Sequence, residues 1–320
     1  MERVQYHREQ AYRDRCSWHP ALRWYAATMV WLGARRGHAF DRFTQRWVQC
    51  TGRRIALADA PWLAGPTGSV HRIGEDFFER WGRAHDLAVC PPDPTSGLLP
   101  GLHALHGPRF DPAAIDPVVD AFYAHTARFD LQIRTRWSGL FRAGGWLVGR
   151  LFARRLAQLN MPLSDRELRA GVQSRIVRLA DANGTIRHTA WVRTSVETGL
   201  PVFVGEYGTT LVPGHDGPCI RVVFPLPNGN ALIVLRPQVH GRGLSLISDG
   251  RHFGDPGFYF TVRAGHGVVW ARYLGTMKER LDVQPTLEGL SARHRFSVFG
   301  LRFMELQYTI TDKPGGRGAR

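Results

Sequence analysis

Lysine is almost missing from this sequence: of the 42 basic residues, only Lys278 and Lys313 are lysine and the rest are arginine. A GC-rich coding bias explains that choice between basic residues, but it does not explain the formal net charge of +15. Positive charge favours anionic partners such as nucleic acid, acidic lipid or an anionic metabolite. The charge is spread along the chain without a block of like charges, which is equally typical of a solvated surface. Without a recognised nucleic-acid-binding motif, nucleic acid is a disfavoured partner.

Motifs for metal ions and for common cofactors are missing as well. The four cysteines form no CxxC pair, and the histidines show no HExxH or HxH spacing, so we predict no metal site. GxSxG, Walker and GxGxxG motifs are also missing, which disfavours serine hydrolases and nucleotide-dependent enzymes, and we predict no cofactor. Widely spaced cysteines are most simply free thiols in a reducing cytosol.

The sequence has no long hydrophobic run. The first twenty residues are polar and charged, which is unlike a signal peptide. The most apolar run, Ala21 to Ala34, contains Arg23 and is too short to span a bilayer. We therefore expect a cytoplasmic protein, with peripheral attachment to the inner face of the membrane as an alternative.

Residues 1–115 are predicted to form a helical and loop-rich N-terminal region. Apolar residues at helical spacing predict a helix within Ala21 to Trp47 and another over Gly74 to Leu87, whereas Cys90 to Pro112 is rich in proline and glycine and predicts a loop. Asp116 and Pro117 together predict the start of a short helix, with Asp116 as its N-cap.

A basic amphipathic helix is predicted near residues 146–159. Its apolar stripe either covers one end of a sheet or lies on an acidic membrane surface, where arginines at the edge of the stripe would meet lipid phosphates. The residues predicted to contact the membrane are Leu147, Arg150, Leu151, Phe152, Arg154 and Arg155.

Within residues 116–311 the pattern predicts about eleven strands joined by short connections. Asp181 to Gly184 and Pro227 to Asn230 are hairpin turn signals. Short connections make neighbouring strands antiparallel, and a long meander most simply loses its edges by closing into a barrel. The predicted fold class is therefore mainly β (α+β overall), an antiparallel meander closed into a barrel, followed by a disordered tail at 312–320.

The run from Val222 to Pro237, together with Arg251 to Phe260, resembles a family of functionally uncharacterised bacterial proteins. The resemblance covers Gly74 to Tyr308. The strand meander also resembles the calycin-type barrel of lipocalins and fatty-acid-binding proteins. This second resemblance implies an interior cavity suited to an apolar small molecule.

Charged residues inside strand patterns are the candidate catalytic groups. Glu206, Glu279 and Glu305 each lie in a strand pattern, where a buried carboxylate has a raised pKa and can act as an acid or base. The alternative is that each glutamate is paired with arginine or turned to water. A further candidate, His252, lies in a polar loop that is also rich in ordinary turn formers. The candidate ligand-binding residues are Tyr207, Arg236, Arg251, Asp255, Tyr259, Trp270, Arg272, Tyr273 and Tyr308.

Two main functions remain open from the sequence. The first is binding of an apolar or amphipathic small molecule in a barrel cavity, which the aromatic content and the lack of a catalytic motif favour. The second is a cofactor-independent isomerase or cyclase that uses an in-barrel carboxylate. Peripheral membrane association is a third possibility. The oligomeric state is not predicted.

Overall fold

The computed structural model describes residues 41–68, 73–139, 171–196, 199 and 201–313. In this part of the chain helix α1 covers residues 41–51, α2 covers Phe77–Arg83 and α3 covers Pro117–Ala124. The fourteen strands are β1 Arg53–Ala56, β2 Ala88–Val89, β3 Phe129–Trp137, β4 Val172–Ala180, β5 Ile186–Ser195, β6 Pro201–Val212, β7 His215–Leu226, β8 Gly229–His240, β9 Gly243–Ser248, β10 Phe258–Gly265, β11 Val268–Tyr273, β12 Met277–Thr286, β13 Gly289–Val298 and β14 Leu301–Asp312. All of them join one large antiparallel sheet, which confirms the mainly β prediction.

Local sequence signals set several element boundaries as predicted. The Asp116 carboxylate accepts a hydrogen bond from the Val118 amide at 3.1 Å and caps α3, whose first residue is Pro117. In the β4–β5 turn, the Asp181 carboxylate accepts hydrogen bonds from two backbone amides, and Gly184 takes the left-handed conformation at a φ of 79°. The predicted helices at 146–159 and at most of 21–47 lie outside the described residues, as do residues 314–320 of the tail predicted at 312–320. Asp312 is the last residue of β14, so the predicted tail begins too early.

The prediction of a simple meander is wrong at β8. This long strand pairs with β9 through its C-terminal half, from Arg236 to His240, and with β10 through its N-terminal half, from Gly229 to Ile233. The β10–β11 hairpin therefore branches from the sheet, and β12 returns to pair with β9. The physical reason is length: β9 has six residues and covers only half of the edge that β8 offers.

The predicted closure into a barrel is also wrong for the described residues. The main path of the sheet runs β2-β4-β5-β6-β7-β8-β9-β12-β13-β14-β3, and no ladder joins β3 to β4. Side chains of α3 bridge this gap instead. The Phe122 ring packs against Phe129 of β3 at 5.5 Å and against Trp191 of β5 at 6.4 Å. Apolar packing thus replaces the missing backbone hydrogen bonds between the ends of the sheet.

Both faces of the sheet carry buried side chains. The inner face forms the main core, to which the segment around residues 98–105 contributes Leu98, Leu102 and Leu105. On the outer face, α2 packs Phe77 and Phe78 over β4, β5 and β6, and a third cluster lies around the β10–β11 hairpin. Residues between 90 and 112 therefore pack against the sheet. The predicted boundary at residue 115, between an N-terminal region and the β domain, stays a prediction.

Candidate functional site

The inner face of the sheet encloses a cavity of about 540 Å³. Strand alternation puts side chains into it: in β5, Trp191 and Arg193 line the cavity, whereas Ala190 and Val192 face α2 on the other side. The volume lies within the range of about 300–1,000 Å³ that is usual for small-molecule sites.

Aromatic and aliphatic side chains form almost all of the cavity wall. Its aromatic members are Trp47, Phe122, Tyr123, Trp137, Trp191, Phe203, Tyr207, Phe224, Phe258, Phe260, Phe296, Phe303 and Tyr308. These residues come from α1, α3 and seven of the strands, so the cavity depends on the fold of most of the described chain. Few polar groups interrupt this wall, which is the composition expected of a pocket for an apolar ligand.

Arg193 is the cavity's principal cation, and it is 7 % exposed. Its guanidinium carbon lies 4.3 Å from the ring centroids of both Trp191 and Phe203, and 6.0 Å from that of Tyr308. Within the described residues the guanidinium has no carboxylate partner, and its Nε is buried without a hydrogen bond. Burial of an isolated charge costs several kcal/mol, and a desolvated cation–π contact returns only about 2 kcal/mol. A hydrogen-bond acceptor inside the cavity would therefore stabilise the N–H donors of Arg193.

Of the three tyrosines that line the cavity, Tyr207 and Tyr308 lie near Arg193. Burial raises the pKa of Tyr207; the nearby Arg193 opposes this rise, while Tyr308 and Glu279 add to it. The hydroxyl of Tyr207 therefore keeps its proton near neutral pH. Neither Tyr207 nor Tyr308 makes a side-chain hydrogen bond with another described residue, so both hydroxyls are available to a bound molecule.

Glu279 supplies the cavity with a carboxylate. It is 4 % exposed and lies on β12 in line with Leu281 and Val283, which also line the cavity. Its Oε1 lies 3.5 Å from Nε2 of His294 on the adjacent β13. In the described part of the chain, Oε2 of Glu279 and Nε2 of His294 form no hydrogen bond. A carboxylate and an imidazole in this arrangement can exchange a proton with a bound molecule.

The other two candidate glutamates lie away from the cavity. Glu206 is 2 % exposed and faces away from it, with Nδ1 of His188 at 2.5 Å and Nη2 of Arg221 at 3.5 Å. Glu305 accepts hydrogen bonds from Gln307 at 2.7 Å and from Arg302 at 3.3 Å. Both therefore follow the alternative stated from the sequence, in which a buried acid is paired.

The polar loop that contains His252 also lies apart from the cavity. The Asp255 carboxylate accepts backbone hydrogen bonds from Arg251 and His252, both at 2.8 Å, and so closes a turn. Tyr259 is fully buried in the cluster around the β10–β11 hairpin, and its hydroxyl donates to the Asp255 carbonyl at 2.5 Å. The hydroxyl of Tyr273 donates to the Gly250 carbonyl at 2.5 Å. These contacts stabilise the loop itself.

The remaining candidate ligand residues also have structural contacts. Arg236 forms a two-pronged ion pair with Asp249, at 3.0 and 2.8 Å. Arg272 donates to the Thr51 carbonyl at 2.8 Å and so ties β11 to α1. Trp270 pairs with Arg54 of β1 and does not line the cavity. Leu147, Arg150, Leu151, Phe152, Arg154 and Arg155 lie outside the described residues.

Glu279, Tyr207 and Tyr308 line the cavity and are among the site residues predicted from the sequence, whereas Arg193 is not. The sequence does contain a pattern that indicates a buried Arg193. Arg193 and Trp191 lie on the same face of the strand, and the opposite face, with Ala190 and Val192, is apolar too. An arginine in a strand with two apolar faces has no solvent side to occupy. In the described part of the chain, no group of three or more His, Cys, Asp or Glu side chains is arranged to hold a metal ion.

Comparison with known proteins gives one distant likeness. Over 243 residues, or 75 % of its length, the chain is 26 % identical to a Bacillus subtilis (strain 168) protein described as the uncharacterized membrane protein YndJ. The matched stretch is 41 % of that relative, so the chain spans about two fifths of its length. No family model and no solved structure matches the chain. The calycin resemblance thus gains no support, and the open sheet departs from it.

The same relative bears on the question of membranes only through its name. Among the described residues, none of the helices combines the length and the apolar character that crossing a membrane requires.

Proposed function

We propose that the chain binds one amphipathic small molecule in the cavity of the inner face. The observation that supports this most strongly is a wall made mostly of aromatic and aliphatic side chains that contains the buried guanidinium of Arg193, which has no carboxylate partner among the described residues. A purely structural core of this size would be filled by its own side chains, because protein interiors are packed nearly as densely as organic crystals.

The polar groups of the cavity would orient the bound molecule. Arg193, Tyr207 and Tyr308 lie close together on its wall, whereas most of the remaining wall offers apolar contact. A molecule with one polar end and an apolar body matches that distribution. Specificity in such sites comes from a few polar contacts, and affinity comes largely from the apolar area buried.

Native mass spectrometry with a panel of single-chain amphiphiles and apolar ring compounds tests this function. We expect one equivalent of ligand per chain and a higher unfolding temperature. At a ligand concentration of 100 times the Kd, linkage predicts about 2.7 kcal/mol of added stability. Absence of binding across the whole panel, with the protein folded by circular dichroism, would remove the basis of the proposal.

A second candidate function is a cofactor-independent isomerase or cyclase. The observation that favours it is Glu279, whose carboxylate lies in the cavity wall beside His294 with one oxygen unpaired. A single base next to a flexible substrate held in one conformation is enough for proton-transfer chemistry.

Isomerisation leaves the mass of the ligand unchanged, so liquid chromatography is the appropriate test. The ligand found by mass spectrometry is incubated with the protein and examined for a product of equal mass and different retention. We expect Glu279→Gln to abolish conversion and Glu206→Gln, a buried glutamate outside the cavity, to preserve it. Equal conversion by both variants would exclude Glu279 as the base.

Peripheral membrane attachment through residues 146–159 is a proposal that concerns a segment outside the described residues. It is supported by the amphipathic sequence and by the name of the relative, a membrane protein. Each arginine near an anionic surface contributes on the order of 1 kcal/mol, so weak and reversible binding is expected. Co-sedimentation with acidic but not neutral vesicles is the expected result, and equal negligible pelleting would contradict it.

A further inference from the structure

We infer that the molecule bound in the cavity is an amphiphilic oxyanion, a single apolar chain that ends in a carboxylate or phosphate, and that Arg193 binds this head group. The inference rests on the proposed function and narrows it to one chemical class. It starts from a feature of the cavity that packing alone does not explain, a buried guanidinium that has no anionic partner among the described residues.

The environment of Arg193 leaves its donors directed at the ligand. The side chain is 7 % exposed, and its guanidinium carbon is 4.3 Å from the centroids of Trp191 and Phe203. Rings next to a guanidinium hold it in place but accept few hydrogen bonds. The planar fork of arginine matches the geometry of carboxylate and phosphate, to which it donates two parallel hydrogen bonds.

The tyrosines complete a site for an oxyanion. Tyr207 and Tyr308 lie beside Arg193, and their hydroxyls are hydrogen-bond donors that no other described side chain uses. The arrangement therefore offers one positive charge and two neutral donors to the same head group. Most of the remaining wall is apolar, with Leu131, Leu306 and Ile310 among its residues, which suits a hydrocarbon chain.

Glu279 and Asp41 are the acidic residues that line this cavity, and Glu279 is the one whose neighbour is known. Its carboxylate already has His294 as a neighbour, at 3.5 Å, whereas Arg193 has no acidic neighbour within ion-pair distance in the described chain. Among the described residues Arg193 is thus the charged group of this cavity without a neighbour of opposite or titratable charge, and an anionic ligand completes its bonding. A cationic ligand would instead choose Glu279, and the test includes this outcome.

Isothermal titration calorimetry with four ligands that differ only in the head group tests the inference. The ligands are dodecanoate, dodecyl phosphate, dodecanol and dodecylamine. We expect one or both anions to bind at least about tenfold more tightly than the alcohol, because breaking a buried charge pair commonly costs that much or more. Whichever anion binds more tightly identifies the head group as carboxylate or phosphate.

Arg193→Met is the decisive variant, and Arg187→Met is its matched control on the same strand. Arg187 is exposed and pairs with Asp181 at 2.7 Å, so its loss removes a positive charge without touching the cavity. We expect Arg193→Met to lower the affinity for the anions by about tenfold or more and to leave dodecanol within about threefold. Without ligand, its unfolding temperature should be equal to or higher than that of the wild type, because an unpaired buried charge has been removed.

The binding results distinguish failure of this inference from failure of the proposed function. Equal binding of all four ligands, unchanged in Arg193→Met, would overturn this inference and leave the proposed function standing. Preference for dodecylamine, lost in Glu279→Gln, would also overturn it. Binding of none of the four, together with a blank native mass spectrum for the wider panel, would overturn the proposed function itself. If Arg193→Met fails to fold, Arg193→Lys serves in its place, with weaker anion binding expected because lysine cannot form the two-pronged contact.

Discussion

Neighbouring residues in a strand lie on opposite faces of the sheet, and this alternation decides which side chains line the cavity. Glu206 and Tyr207 are adjacent in β6, yet Glu206 is paired with His188 on the outer face while Tyr207 lines the cavity. The alternation of β6 was predictable from the sequence, including the separation of Glu206 from Tyr207. Which face would hold the cavity was not, because both faces of the strand are apolar and both are buried.

Three of the predicted ligand residues bond within the protein itself. The side chains of Arg236, Arg272 and Tyr273 can bind polar groups, but each one already forms a hydrogen bond with another residue of the fold. A sequence shows which donors a chain has and not which acceptors the fold brings to them. For Arg193, strand alternation predicts burial. The sequence does not predict that the guanidinium has no carboxylate partner among the described residues.

We predict that Asp282 gives the protein a pH-dependent part of its stability. Burial alone would raise the pKa of Asp282, but hydrogen bonds from Ser245, Arg280 and Arg295 outweigh it and hold the pKa below its usual 3.8. The Arg280 contact measures 2.8 Å. Because the folded pKa is lower than the unfolded one, the contribution is complete above about pH 4 and is lost as the pH falls through the folded pKa.

Chemical denaturation at a series of pH values checks this prediction. Asp282→Asn should lower the free energy of unfolding by about 2 kcal/mol near neutral pH, which is typical of a hydrogen-bonded charge, and its deficit should shrink below pH 4. Asp59→Asn, at an exposed position, is the control and should differ little from the wild type at any pH. A deficit for Asp282→Asn that stays constant down to acidic pH would contradict the assignment.

At the scale of elements, most strands of the sheet were predictable and the pairing of several was not. Turn signals such as Asp181 to Gly184 fixed hairpins correctly, because the connection is local. The branch at β8 depends on which of two distant strands covers each half of one edge. Periodicity within a strand carries no information on that choice. The sequence predicted a strand pattern around Glu279 but not the full extent of β12, because charged residues such as Lys278, Arg280 and Asp282 interrupt its apolar alternation.

Gly229 allows β10 to pair closely with the N-terminal half of β8, and we predict the effect of replacing it. A Cβ at this position would lie 1.9 Å from the Thr261 carbonyl oxygen of β10. Backbone cannot yield as a flexible side chain does, so Gly229→Ala should destabilise the protein by about 1–3 kcal/mol and weaken the β8–β10 pairing. Hydrogen exchange of the Thr261 amide would report the local loss.

The matched control is Gly208→Ala in β6. Nothing lies within 4 Å of a Cβ built there, so this variant should be neutral or slightly stabilising, as replacement of a strand glycine by alanine usually is. If both variants unfold at the same denaturant concentration, close approach of β8 and β10 is not the reason for a glycine at position 229.

At the scale of the whole molecule, the sheet is covered on both faces and open at one seam. α2 and the β10–β11 hairpin cover the outer face, while α1, α3 and the segment around Leu102 cover the inner one. The cavity therefore lies between the sheet and elements that precede β3 in the chain. An interior cavity was an expectation of the calycin resemblance, yet here it is bounded partly by helices rather than by a closed ring of strands.

Titration of variants whose cavity is filled by an added side chain, with the neutral fluorescent probe N-phenyl-1-naphthylamine, tests whether the cavity is the binding site. Ala231 of β8 and Ala292 of β13 both line the cavity and are nearly buried, whereas Thr309 of β14 is exposed. Ala231→Phe and Ala292→Phe place a ring in the cavity and should each weaken binding of the probe at least about tenfold, equivalent to about 1.4 kcal/mol, while Thr309→Phe retains wild-type affinity. Wild-type affinity in both alanine variants, with their fold intact by circular dichroism, would show that the cavity is not the binding site and would contradict the account.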